Sequence, residues 1–326
     1  MSNDIHKVAS MDQYTERIRE IALRLLQEGK VDVVLGFQRG TLPMINQPIL
    51  VNKPAEVKRL NWDSFCAGNL TTYLPRRRDR IALLVKGCDS RNVVLQILEN
   101  QIKREQLYII AVPCHGMLDR RKVLAELNGR HLLEVRQTSE HLHLFGEGFM
   151  DSLERSSYLQ ENCAICTHRN AVIYDELLAE PVSEQEGVDR YEDVAAIEAM
   201  TAQERWSHFE KLLAPCIRCY ACRNACPMCY CPVCFVDESM PQWLGKSIDP
   251  TDTKTFHFLR AYHLAGRCTD CGNCEQACPM SIKVRQLTKK LEKDIVELYD
   301  YKAGLSLNQR PPLDTYRPDD PQDFIR

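Results

Sequence analysis

The residues best equipped for chemistry in this chain of 326 are its 16 cysteines, and they are unevenly spread. Eleven fall between Cys216 and Cys278, while the first 200 residues hold five. Two stretches repeat one spacing, C-x2-C-x2-C-x3-C-P. In CIRCYACRNACP the thiols are Cys216, Cys219, Cys222 and Cys226; in CTDCGNCEQACP they are Cys268, Cys271, Cys274 and Cys278. Three thiolates this close can wrap three irons of a 4Fe-4S cube, after which the chain leads away and the fourth serves the other cube. That rule groups Cys216, Cys219 and Cys222 with Cys278, and Cys268, Cys271 and Cys274 with Cys226.

Such a run marks the bacterial two-cluster ferredoxin module, which passes single electrons. Zinc also takes paired C-x2-C thiolates, but has no use for the third cysteine or for Pro227 and Pro279. Sixteen thiolates set a ceiling of four such centres, each carrying about −2 when oxidised. Residues 227–267 separate the halves by more than a minimal ferredoxin needs, and this insert carries Cys229, Cys231 and Cys234. Those thiols either help hold a fourth metal centre, with a ligand from elsewhere, or are bystanders. A helix over 252–265 puts Phe256, Leu259 and His263 on one side. His257 and His263 read as ordinary core or surface histidines.

The elements that must position the other thiols read as α/β (α+β), with a parallel or mixed sheet under helical cover. Residues 11–28, 89–105 and 117–128 read as helices, and 31–37, 81–87 and 107–114 as strands. Residues 38–80 read as irregular and 140–175 as strand or loop. Cys88 follows one strand and Cys114 ends the next, so in a parallel sheet both emerge at the carboxyl edge, where ligands bind. With the C-x2-C of Cys163 and Cys166, four thiolates could converge on a third cluster, with Cys66 as substitute. At the same edge, the free amides of a helix start in KGCDSRN, with Lys86, Gly87, Asp89, Ser90 and Arg91, make a small anion site for a phosphate-bearing cofactor. A capped helix without a ligand would look the same.

Four segments follow: an α/β body over 1–185, a helical linker over 186–213 with one helix at 192–213, a two-cluster ferredoxin-like domain over 214–285, and a helix with a proline-rich tail over 286–326. The tail reads as frayed or as wrapped around a partner. A hydrophobic share of 44% with 27% charged residues provides real cores and rules out wholesale disorder. A formal charge of −3, from 42 basic and 45 acidic residues, argues against nucleic-acid binding. Apolar runs are too short to span a membrane, and the N-terminus lacks a signal-peptide core. A soluble, cytoplasmic protein is expected, whose thiols hold metal and not disulfides.

The segments IALLVKGCDSRNVVLQILENQ, YIIAVPCHGMLDRRKVL and ENCAICTHRNAVIYDELL resemble the coenzyme F-420 hydrogenase/dehydrogenase beta-subunit family. The two cysteine runs are similar to the ferredoxin halves of formate-dehydrogenase-type beta subunits and heterodisulfide-reductase-linked carriers. The resemblance implies FAD beside a 4Fe-4S cluster, with Cys114, Cys163, Cys166 and Cys88 as ligands. Two departures stand out: the ferredoxin run follows the body, and the flavin segment offers only Gly36 and Gly40. The implied function is an iron-sulfur flavoprotein subunit of an oxidoreductase complex. It would pass electrons between a two-electron carrier, a deazaflavin or nicotinamide, and its clusters. The alternative is a flavin-free wire joining a formate dehydrogenase or hydrogenase catalytic subunit to another carrier. Neither needs a catalytic acid, base or nucleophile.

Overall fold

Apolar residues at helical spacing make Met11–Gln27 one amphipathic helix, α1, which buries Tyr14, Ile18, Ile21, Ala22 and Leu25. The computed structural model describes residues 11–314, so the tail beyond 314 and the extreme N-terminus lie outside it. The chain forms two units. One runs up to Ser90 and resumes over Ile102–Val188; the other takes Arg91–Gln101 and the chain from Asp189 on.

The first unit carries strands β1 (Val33–Arg39), β2 (Asn46–Val51), β3 (Ile81–Val85), β4 (Leu107–Ala111), β5 (Leu132–Gln137), β6 (His141–Gly146), β7 (Phe149–Glu154) and β8 (Glu176–Leu177). Five form a mixed sheet in the order β2-β1-β3-β4-β8, antiparallel only between β1 and β2. All five residues of β3 are buried, the continuous apolar run expected of a parallel strand covered on both faces. Helices α2 (Gly87–Leu98), α3 (Arg120–Glu126) and the single turn α4 (Glu161–Ala164) follow their strands. α2 begins in this unit and continues in the other.

Several expectations need correcting. Residues 38–80 are not wholly irregular, because β2 lies within them. Its Pro48 has no N–H to offer and is tolerated on an edge strand. Residues 132–154 form a separate antiparallel sheet, β5-β6-β7, whose second hairpin turns at Gly148 with φ of 75°. The helix expected over 89–105 ends at Leu98, two residues before Asn100 enters the left-handed region at φ 57°.

In the second unit the helix expected over 192–213 is two, α5 (Glu192–Glu198) and α6 (Ala202–Leu213). Thr201 breaks it by forming a capping box with Glu204: each side chain accepts the other's backbone N–H, at 3.3 and 2.8 Å. The single turns α7 (Ala221–Asn224) and α9 (Asn273–Gln276), helix α8 (Pro250–His263) and helix α10 (Arg285–Tyr299) complete the unit. Residues 91–101 group here through particular bonds. Gln96 donates to Pro227 O at 2.8 Å, Asn92 accepts from Thr269 Oγ1 at 2.9 Å, and Arg267 forks onto Glu99 at 2.7 and 2.6 Å. Of the side shared by Phe256, Leu259 and His263, α8 buries only Phe256. It buries Thr253, Phe256, His257, Arg260 and Ala261, and leaves Leu259 and His263 exposed. No helix among the described residues is long and apolar enough to cross a membrane.

Candidate metal centres

Both cysteine runs of the second unit fold alike. Arg218 and Tyr220 take φ of 50° and 59°, and at the matching places Asp270 and Gly272 take 55° and 73°. A left-handed residue with a side chain costs about 1–2 kcal/mol. Three such residues at equivalent places point to a backbone shaped by what its thiols surround. Each run then enters a single helical turn, α7 or α9.

One hollow is lined by Cys216, Cys219, Cys222 and Cys278, together with Tyr220, Phe256 and His257. The other is lined by Cys226, Cys268, Cys271 and Cys274, together with Met228, Arg260 and Arg267. The last thiol of each run therefore lines the other run's hollow. Among the described residues no group of three Cys, His, Asp or Glu side chains gathers as a single ion would require.

Leftover polar atoms test whether a cube suits these hollows. Arg260 is buried and donates through Nη2 to Cys222 O at 3.0 Å, but its Nε has no hydrogen-bond partner among the described residues. The same holds for Nε of Arg218 beside the first hollow. Sulfides and thiolates are acceptors such donors can use, so the donor set fits. His257 Nε2 stands 3.3 Å from Cys216 Sγ. Burial, with Arg260 and Arg218 nearby, pushes this imidazole down to about 4 and leaves it neutral. Burial also pushes Cys222 up to about 11 and Cys274 up to about 12, so these thiols keep their protons until a metal displaces them. Beneath the second hollow, Arg285 forks onto Asp270 at 2.6 and 2.8 Å.

The three insert thiols lie in different surroundings among the described residues: Cys229 packs with Met228 and Leu264 and meets the side chain of Cys226, a thiol of the second hollow, Cys234 packs with Val236, Leu244 and Phe256, and Cys231 is exposed. Their segment runs between two separate apolar clusters, which draw its side chains apart.

In the first unit β3 and β4 run parallel with Val85 opposite Ala111, so Cys88 and Cys114 leave the sheet at one edge. The segment with Cys163 and Cys166 is tied there. Cys114 N–H donates to Arg169 O at 3.1 Å, and a Cβ on Gly116 would stand 3.4 Å from that of Cys163. Gln185 donates to the carbonyls of Cys163 and Cys166 at 3.3 and 2.9 Å. Cys163 feels the charges of Cys114 and Cys166, and Lys86 feels those of Cys88 and Cys114. Burial pushes Cys114 up to about 11 and Cys163 up to about 12. Cys66 is a buried thiol accepting the Asp63 N–H at 3.4 Å.

The anion site expected at residues 86–91 does not form an open surface. Lys86 Nζ pairs with Asp89 at 2.7 Å and donates to Gly68 O at 3.1 Å. Ser90 Oγ donates to Gly87 O and accepts from Val172 N–H. Arg91 is buried and donates to Ala303 O at 2.9 Å. Gly87 abuts the backbone of 168–169. The residues present do not fit a flavin phosphate, because their polar groups are already used inside the protein.

An α/β unit with thiols at its sheet edge, and a second unit with two crossed sets of four, define a protein equipped for iron-sulfur ligation. The chain is 23% identical, over 89% of its length and 91% of the relative's, to an F420-dependent formate dehydrogenase subunit beta of Methanocaldococcus jannaschii. It is 22% identical, over 96% of its length and 98% of the relative's, to an F420-dependent formate dehydrogenase 1 subunit beta of Methanococcus maripaludis. These similarities bear out the resemblance to the F-420 hydrogenase/dehydrogenase beta subunits. A solved chain of the F420-reducing NiFe hydrogenase complex from Methanosarcina barkeri aligns at 12% identity and a TM-score of 0.38. That alignment covers 49% of this chain and 64% of the solved one, too loose a fit to bear on the fold. No known protein-family model matches the chain.

Proposed function

We propose that this chain is an electron-transfer subunit of an oxidoreductase complex, with three 4Fe-4S clusters as its resident groups. The observation that carries the reading is the pair of hollows, each lined by four cysteines drawn from both runs. The clusters, when bound, supply one-electron chemistry. The protein's own part is to hold the thiols apart at cube spacing, shield them with apolar walls, and place cationic side chains beside them. Cys88, Cys114, Cys163 and Cys166 would hold the third cluster at the sheet edge. The names of the relatives suggest the setting, a complex that oxidises formate and exchanges electrons with coenzyme F420.

The committed polar groups at 86–91 favour the flavin-free version, in which two-electron chemistry belongs to a partner subunit. A second reading keeps a flavin elsewhere on the chain, and is favoured by the F420-dependent relatives, since a deazaflavin gives up electrons in pairs. The deciding measurement is iron, sulfide and released flavin per chain after purification without oxygen. About 12 irons are expected, at four per cube. No flavin at that iron content supports the wire, and about one flavin supports the second reading. Only about eight irons would remove the sheet-edge cluster.

A further inference from the structure

Helix α8 belongs to the insert, and the spacing of the cysteine runs does not call for it. Its buried face holds, beside Thr253, Phe256 and Ala261, two nitrogen-rich side chains, His257 and Arg260. A helix covering a core ordinarily turns apolar groups inward. Here the two polar residues lie three apart, on neighbouring positions of one face.

Each meets a different set of thiols. His257 Nε2 is 3.3 Å from Cys216 Sγ, a thiol of the first hollow. Arg260 lines the second hollow, where its Nε is buried and has no hydrogen-bond partner among the described residues. The thiols that act on its charge are Cys226 and Cys274 first, then Cys229 and Cys222. Two of these four, Cys226 and Cys274, line the second hollow, and Cys222 lines the first.

We propose that α8 sets the reduction potentials of the two centres separately, His257 through a hydrogen bond to a ligand sulfur of the first and Arg260 through a buried positive charge beside the second. The proposal rests on the reading of the eight thiols as two 4Fe-4S sites. In the step concerned, a centre gains one electron from a one-electron reductant and no proton moves. Its charge goes from about −2 to about −3. A donor hydrogen bond or a nearby cation stabilises the more negative state, so both residues raise the potential of the centre they adjoin. In a minimal module the two halves are near-equivalent; an insert helix with two different side chains makes them unlike.

The test is a potentiometric titration with dithionite of the full chain, purified without oxygen and followed by electron paramagnetic resonance. Cys219→Ser assigns the signal of the first centre. In His257→Leu that centre's reduction equilibrium is expected to fall about tenfold, which is about 59 mV for one electron, with a smaller change at the second. His257→Gln, which keeps an N–H donor, is expected to recover most of the difference. Arg260→Gln is expected to reverse the pattern, moving the second centre more. Unchanged potentials in His257→Leu at wild-type iron content would overturn the proposal. If that variant fails to load iron, wild-type chain labelled with 15N-histidine decides by spin-echo spectroscopy. A histidine nitrogen coupled to one reduced centre supports the proposal, and no coupling overturns it. A wild-type chain without iron would instead fail the reading beneath it.

Discussion

Gly87 abuts His168 so closely that an added Cβ would stand 2.1 Å from the His168 carbonyl oxygen. This contact seats the segment carrying Cys163 and Cys166 against the start of α2, where Cys88 lies. Gly87→Ala must push that backbone away. The expected cost is about 1–3 kcal/mol in urea unfolding. Iron content is expected to fall from about 12 to about eight per chain, as one four-iron cube is lost. Full iron in the variant would show that the contact does not hold the sheet-edge thiols.

Lys86 and Asp89 form a buried pair, at 3% and 1% side-chain exposure. Burial alone would push the Lys86 pKa down, but the Asp89 carboxylate and the nearby thiols outweigh it and hold the pKa up. Asp89→Asn strands the ammonium, and a loss of about 3–5 kcal/mol is expected by denaturant unfolding. Replacing both partners with Met and Leu should cost much less, since no charge is left buried alone. Equal losses in the single and double variants would contradict this.

Cys278 follows Cys274 in the chain but lines the hollow of Cys216, Cys219 and Cys222. Its replacement by Ser is therefore expected to alter the same paramagnetic signal as Cys219→Ser. Cys226→Ser should instead alter the signal affected by Cys271→Ser. If each variant tracked its own run, the crossed grouping would be wrong.

Cys231 is exposed and Cys234 packs among apolar side chains. Changing either to Ser is expected to leave iron per chain unchanged, within the error of a colorimetric assay. A loss of about four irons would restore a fourth centre in the insert.

Arg285 is buried, and serves Asp270 by two hydrogen bonds and Glu275 at 3.5 Å. Arg285→Met removes the fork from buried Asp270, which keeps only the longer approach of Arg190 at 3.6 Å, and a loss of about 3–5 kcal/mol is expected. Arg285→Lys should recover only part, because an ammonium cannot reproduce the planar fork. Chemical denaturation of the iron-loaded chain checks both.

Much of the architecture was open to a reading of residues alone. Strand β3 and the start of α2 follow from a five-residue apolar run leading into a helix of regular period. Strand β2 was hidden by Pro48, which reads as a breaker unless the strand is known to lie at an edge. The break between α5 and α6 was legible in Thr201 and Glu204, whose spacing of three is a helix-start signal inside an otherwise continuous helical pattern.

By itself the sequence predicted the two sets of four thiols that line the two hollows, because the reach of a short chain segment between cysteines is a local property. It also marked Cys88 and Cys114 for one sheet edge, since each follows closely on a strand. Only the tertiary structure decided that Lys86, Asp89, Ser90 and Arg91 spend their polar groups inside the protein, that Cys229, Cys231 and Cys234 part company, and that α8 turns His257 and Arg260 inward. Those outcomes depend on which distant side chains compete for the same buried space. Residues far apart in the chain, such as Gly87 and His168 or Cys216 and His257, meet only through packing.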